Sequence, residues 1–505
     1  MMEKVILSID VGTTNVKAST WTQDGNIVTS SSARLSIIHN KGAMVEQDPY
    51  ELWDSIISTA YETIDKARAR HDNILGIGIA NQRESVLAWD STTLKPVTNI
   101  ISWQDRRTIG EIAIIRGKFR NEIEERSGLV VDPYFSAPKI KWILENVEEA
   151  HYLSGKGLLR IGTVDSWVLS KFTMGRSYFT DHTNASRTML MNLRKGKWDE
   201  ELLSIFSIPE DILPEIRPSS SDYGEVLLEG PLKGKEILSV VGDQQSSIIG
   251  MGRIKPGETK VTVGTGTFMV SSSGKDLRTR KGLLSTCLYS DESGYGNYAL
   301  EGSSFFSGAL LDYMKKNIFG DLDVESIDPF PKSFNPGSNV YFVPALAGLG
   351  SPFWDPGATG TIIGIRPDTD WKDISSSALQ SIAFRINDMI SAMDQGDLNG
   401  EMWIDGGVSK NTKMMQFISD ITRLKIQQTQ NPDHITGRGA ANLAFRTIDH
   451  HELTDWAISE ASNTFTPSLP EGKTMRLYAG WIKALERSGE SYAICFSVQR
   501  SEIRK

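Results

Sequence analysis

The chain has 505 residues, 39% hydrophobic and 23% charged, with a formal net charge of −9. That length exceeds a single core and predicts two large globular domains. No segment approaches the ~20 continuous apolar residues of a membrane span, and the acidic balance excludes a nucleic-acid surface as the main function, since that needs a basic footprint.

Met-Met-Glu-Lys runs at once into an apolar strand without the n-region, long apolar stretch and cleavage site of a secretory signal, so a cytoplasmic protein is expected. Residues 5–10, 16–21 and 25–30 predict a strand meander, with Asp10-Val11-Gly12-Thr13-Thr14 at its first bend and Asp24-Gly25 at its second. Asp48-Pro49 marks a helix start, and Leu52, Ile56, Ile57, Ala60, Tyr61 and Ile64 at helical spacing carry the helix to about residue 70. Residues 74–80 read as a buried strand that delivers Asn81-Gln82-Arg83-Glu84-Ser85 at its end. A further strand, 237–241, leads into Gly242-Asp243-Gln244-Gln245, with a helix expected from Gln244.

Gly250-Met251-Gly252 and Lys255-Pro256-Gly257 form the natural hinge, dividing the chain into domains 1–251 and 252–505. The same grammar then repeats. A hairpin bends at Gly264-Thr265-Gly266-Thr267, a helix is expected over 373–393, and a strand at 402–404 ends in Asp405-Gly406-Gly407. Meander, helix and strand in the same order predict a duplicated α/β domain with ligand sites at strand ends facing a cleft.

Each Gly/Thr bend taken singly is a hairpin turn. As a pair they offer backbone N–H groups and hydroxyls to the phosphates of ATP from both sides of the cleft. Asp10, closing an apolar strand, is the candidate Mg²⁺ ligand, through water. Asp243 is the candidate base for an attacking hydroxyl, or else caps the helix that follows it. Arg83 and Glu84 side by side suit vicinal hydroxyls, with Trp103 as an apolar wall, or form an ion pair with each other. No Walker-A sequence, His-Arg-Asp or Asp-Phe-Gly occurs, which excludes those kinase classes, and the seven histidines show no metal-ligand spacing. Cys287 and Cys495 are too few for a disulfide framework and read as packing residues. The basic runs at 66–70 and 116–120 read as solvated helix faces.

Longer strings resemble the FGGY sugar kinases across nearly the whole chain. The segment from Tyr134 to Asn146 is similar to the family's first signature. Gly162 to Trp167, Thr183 to Leu190 and Gly242 to Gln245 resemble its glycerol-phosphorylating members, and Gly348 to Pro356 and Tyr478 to Trp481 continue the match. The resemblance implies two actin-like (ribonuclease H-like) domains with an ATP/substrate cleft between them, and transfer of the ATP γ-phosphoryl to glycerol. Carried over by position, glycerol would meet Arg83, Glu84, Trp103, Tyr134, Asp243, Gln244 and Phe268. The nucleotide would meet Thr13, Thr14, Asn15, Lys17, Thr265, Gly308, Asp312, Gly407 and Asn411, with Asp10 near the magnesium. A homodimer or homotetramer is implied as well. Val11 and Lys17 stand where the pattern has Gln and Arg, and Asp312 where a Gln often contacts nucleotide. The 229–235 loop has lysines and no arginine, so fructose 1,6-bisphosphate feedback is not expected.

Overall fold

The structure is a computed structural model that describes the whole chain except residues 1–2, 41–42, 69–70, 317–326, 332–338, 395, 459 and 490–505. Cys495 and part of the 66–70 run therefore lie outside the described residues.

The first five-stranded sheet has the order Ile237–Gly242, Ile74–Asn81, Val5–Val11, Asn15–Thr22, Ile27–Arg34. The last three strands are the expected antiparallel meander, and the first two join it in parallel. The second sheet has seven strands. It runs Leu284–Asp291, Gly294–Ser304, Thr267–Gly274, Thr259–Val263, Glu401–Asp405, Lys425–Gln428, Asn463–Phe465. Its central five repeat the first sheet in order and sense, with Thr259–Val263 in the place of Val5–Val11 and Glu401–Asp405 in the place of Ile74–Asn81. Parallel strands need covered faces, and both central strand pairs are almost wholly buried, the first of them largely apolar in sequence. A third sheet, Ile38–Asn40, Met44–Gln47, Ile100–Ile101, Val86–Asp90, Leu159–Thr163, is inserted in the first half and carries Trp103 just past one of its strands.

Local signals set the helices. Asp48 accepts the Tyr50 N–H, and Pro49 opens a helix that ends at Lys66, a turn before the expected end. The helix expected over 373–393 instead spans Trp371–Ile390, because Asp370 takes the N–H groups of Lys372 and Asp373 and receives Asp373 in return as a capping box. The helix after Val241 begins at Asp243 itself, one residue earlier than expected, so Asp243 is its first residue and Gly242 its cap. Lys66 and Arg120 pair with Glu62 and Glu124 on exposed faces, whereas Arg116 folds down to donate to the Val131 carbonyl.

Two apolar cores lie one against each sheet, and a third spans the halves by joining Trp103, Tyr134 and Phe135 to Phe268, Phe305 and Trp354. Cys287 is buried, as a packing residue should be. The chain also crosses back: the Ile435–Asp449 helix, far along the second half, packs on the first sheet and across the Asp243–Gly250 helix. The two halves are thus joined at the strand ends, where both Gly/Thr bends lie.

Candidate active site

Thr13 and Thr14 from the first bend and Gly264, Thr265 and Gly266 from the second line one cavity of ≈ 130 Å³. Arg83, Glu84, Trp103, Tyr134, Asp243, Gln244 and Phe268 line it too, joined by Gln82 and Thr262. Every residue expected to meet glycerol therefore faces one space, together with three of the residues expected to meet the nucleotide. Its floor is aromatic: Trp103 lies 5.8 Å from both Tyr134 and Phe268, edge to face.

Each bend is held rigid from behind. Gln47 donates to the Thr13 carbonyl at 2.8 Å, and the Trp103 indole N–H donates to the Thr13 hydroxyl at 2.9 Å, so the apolar wall and the first bend are set by one another. In the second bend Gly308 N–H donates to the Gly264 carbonyl at 2.8 Å, and a Cβ on Gly308 would stand 2.6 Å from that oxygen. Only glycine allows the Gly308–Met314 helix to start so close to the bend.

The charged groups are arranged differently from the sequence expectation. Arg83 and Glu84 do not pair with each other. Glu84 has φ +61°, a left-handed conformation that is costly for a non-glycine residue and separates the two side chains. Arg83 makes a bidentate pair with Glu301 at 2.6 and 2.9 Å, and its Nε lies 3.2 Å from Asp243 Oδ1. Glu84 Oε1 instead accepts from Arg187 Nε at 2.6 Å. Asp243 accepts the Gln244 N–H at 2.7 Å, and Lys260 fixes the Gln244 side chain at 2.6 Å. The Asp243 carboxylate keeps 28% exposure, the only group of this network with substantial access to the cavity.

The remaining expected residues do not line the cavity. Asp10 is the penultimate residue of the Val5–Val11 strand, where burial pushes its carboxyl up to about 7, Lys17 opposing the shift and Asp243 adding to it. A carboxylate so desolvated beside a second one suits a divalent cation shared with phosphate oxygens, and Mg²⁺ is usually held by one or two carboxylates and waters. Asp10 is thus the residue that fits a magnesium ion. Among the described residues no cluster of three or more His, Cys, Asp or Glu could hold a metal by protein ligands alone. Lys17 donates to the Asp433 carbonyl at 2.9 Å, bridging the halves, and Asn15 donates to the Thr14 hydroxyl. Asn411 caps the Thr412–Thr422 helix by accepting the Met414 N–H. Gly407 follows Gly406 at the end of Glu401–Asp405, with nothing within 4 Å of where its Cβ would stand. Asp312 is exposed on the Gly308–Met314 helix. Val11 is fully buried and packs in the first core, away from the cavity.

Sequence reasoning missed Arg187, Glu301 and Lys260, all fully buried. A signal existed for Glu301, a lone acid in the apolar run Tyr298-Ala299-Leu300-Glu301.

Comparison with known proteins places these features. Residues 5–250 match the N-terminal domain, and residues 259–448 the C-terminal domain, of the FGGY family of carbohydrate kinases. Glycerol kinase 2 of Sulfolobus acidocaldarius is 38% identical over 97% of this chain and 98% of its own. The glycerol kinase of Petrotoga mobilis is 39% identical over 96% of this chain and 99% of its own. The crystal structure of Plasmodium falciparum glycerol kinase with ADP superposes with a TM-score of 0.84 at 32% identity, covering 96% of this chain and 98% of that one.

Proposed function

Because the chain belongs to the FGGY family of carbohydrate kinases, we propose that it phosphorylates glycerol with ATP, giving sn-glycerol 3-phosphate and ADP. The observation that carries this is the one cavity in which both Gly/Thr bends meet Arg83, Glu84, Trp103, Tyr134, Asp243, Gln244 and Phe268. Similarity to glycerol kinases over nearly the full length supports the choice of acceptor.

In this mechanism glycerol lies with its carbon edge on Trp103 and Phe268. Its hydroxyls meet Tyr134, Arg83 and Glu84. Arg187 engages one Glu84 oxygen, and among the described residues no donor is recorded on the other, which accepts from a glycerol O–H. The terminal hydroxyl oxygen attacks the γ-phosphorus as its proton passes to Asp243, and the bond to the β–γ bridging oxygen breaks in line, releasing ADP. The nucleotide is held by Thr13, Thr14, Asn15, Lys17, Thr265, Gly308, Gly407 and Asn411. When bound, Mg²⁺ would sit by Asp10, through water, and neutralise phosphate charge. Closure of the two halves over the bound substrates excludes water, so ATP is spared without acceptor.

Residues 1–251 form mainly the glycerol side of the enzyme and 252–505 the nucleotide side, the first bend reaching the phosphates from the first half and Phe268 reaching glycerol from the second. It works in the cytoplasm. Among the described residues no helix is long and apolar enough to cross a membrane. It assembles as a homodimer or homotetramer.

The test is ADP release from Mg-ATP with glycerol, dihydroxyacetone, erythritol, xylulose and no acceptor. Strong turnover with glycerol and little without acceptor is expected. Preference for xylulose or erythritol would keep the kinase and reject the substrate. A finer expectation concerns Asp312, whose exposed carboxylate puts negative charge on the Gly308–Met314 helix that starts against the second bend. Asp312→Gln should lower the ATP KM by roughly threefold at low salt and less at high salt, because exposed charges are screened. An unchanged KM at low salt would remove Asp312 from the nucleotide's surroundings.

A further inference from the structure

Behind the cavity the charged groups form one chain of ion pairs, and it is anchored in the second half of the molecule. Glu301 lies on Gly294–Ser304, between Thr267–Gly274 and Leu284–Asp291 in the second sheet, and is fully buried. It receives both Arg83 Nη groups, and Arg187 Nη2 stands 3.1 Å from its Oε1. Ser303 adds a hydroxyl at 3.2 Å. Arg187 then donates from its Nε to Glu84, while its guanidinium lies 5.8 Å from the Tyr134 ring and 5.3 Å from that of Phe135. Arg83 and Glu84 are neighbours in sequence, yet each is held by a partner from a distant segment, and both restraints meet at Glu301.

We propose that Glu301 is a positioning residue for the polyol site: a carboxylate of the second half that fixes Arg83 directly and Glu84 through Arg187, so that the glycerol-binding pair is ordered only when the two halves are docked. This deepens, and rests on, the glycerol kinase function proposed above.

Three observations support it. Burial by itself would raise the Glu301 carboxyl, but Arg187 and Arg83 outweigh it and hold the group at about 2, so it stays anionic and paired. Geometry is the second. Because Glu301 takes both Nη groups of Arg83, Asp243 meets only the Nε, at 3.2 Å and without hydrogen-bond alignment. Glu301 thus keeps Arg83 from closing a bidentate pair on the candidate base. The third is burial of the whole chain: Arg83, Glu84 and Arg187 are each 3% exposed or less, so water cannot replace a lost partner.

The experiment compares the parent enzyme with Glu301→Gln and Glu301→Asp. It follows glycerol and ATP constants in steady state and glycerol binding without ATP by titration calorimetry. Glu301→Gln removes the charge at constant volume. It should raise the glycerol KM and Kd by about 30-fold or more, as expected when one member of a buried charge pair is lost. The ATP KM should stay within about threefold. Glu301→Asp keeps the charge, preserves folding and retracts the carboxylate by one methylene; it should show the same split more weakly. Arg187→Met should raise the glycerol constants too, and combined with Glu301→Gln should cost less than the product of the single effects, since both act on Glu84 through one path. An unchanged glycerol Kd in folded Glu301→Asp, equal rises in the glycerol and ATP constants, or fully multiplicative effects with Arg187→Met would overturn the positioning role. A parent enzyme without glycerol turnover would instead reject the glycerol kinase function itself.

Discussion

Asp243→Asn is expected to lower kcat with glycerol by about 10³-fold, the loss typical of a missing general base, while the ATP KM changes by less than about threefold. The side chains are nearly isosteric, so the Asn oxygen still accepts the Gln244 N–H that Asp243 now accepts at 2.7 Å, and the start of the Asp243–Gly250 helix should not move. What is lost is the anion that receives the glycerol proton. Arg83 Nε, 3.2 Å away, loses one of its two anionic neighbours, but the bidentate pair with Glu301 still compensates it. The glycerol site should therefore remain formed, which calorimetric titration with glycerol can check. Retained turnover at more than a tenth of the parent rate would remove Asp243 from the role of base.

The largest stability effect is expected at Gly439. It lies on the Ile435–Asp449 helix where that helix crosses Asp243–Gly250. A Cβ there would stand 1.8 Å from the Ser246 carbonyl oxygen, and one on Gly250 would stand 2.2 Å from the Ile435 carbonyl oxygen. Both obstacles are backbone atoms, so no rotamer change relieves the clash and the helices must separate. Gly439→Ala should then destabilise by about 3 kcal/mol, the upper range for overpacking, despite the better helix propensity of alanine. Ser246 is one turn after Asp243, so the displaced helix should also carry the base out of place and lower kcat. Gly117→Ala is the control: nothing lies within 4 Å of its Cβ, and it should be neutral or stabilise by about 0.4–1 kcal/mol. Thermal midpoints and glycerol turnover of the two variants are the measurement. Equal behaviour of the two would refute the close-packed crossing.

What was legible in advance was what short stretches of chain decide among themselves. The Asp10 to Thr14 bend, the Asp48-Pro49 helix start and the second hairpin at Gly264 depend on turn chemistry, capping and alternation within a few residues, and all stand where expected. Element ends were less legible. The helix expected from Asp373 starts at Trp371, because capping by Asp370 adds the preceding turn. The cavity residues were named mainly by likeness to a family, which carries positions but not contacts.

By itself, then, the amino-acid sequence determined the duplicated α/β pattern and the two Gly/Thr bends. Each follows from local preferences and from their repetition along the chain. Only the tertiary structure decided the ionic partners. Arg83 finds Glu301 218 positions away rather than its neighbour Glu84, Glu84 finds Arg187 103 positions away, and the Ile435–Asp449 helix returns to the first sheet. The physical reason is that buried charges pair by geometry after the halves close: a carboxylate and a guanidinium out of water must meet at hydrogen-bonding distance, and which ones can meet depends on strand order and domain docking. Charge sign and residue type are written in the chain, but distance is made by the fold.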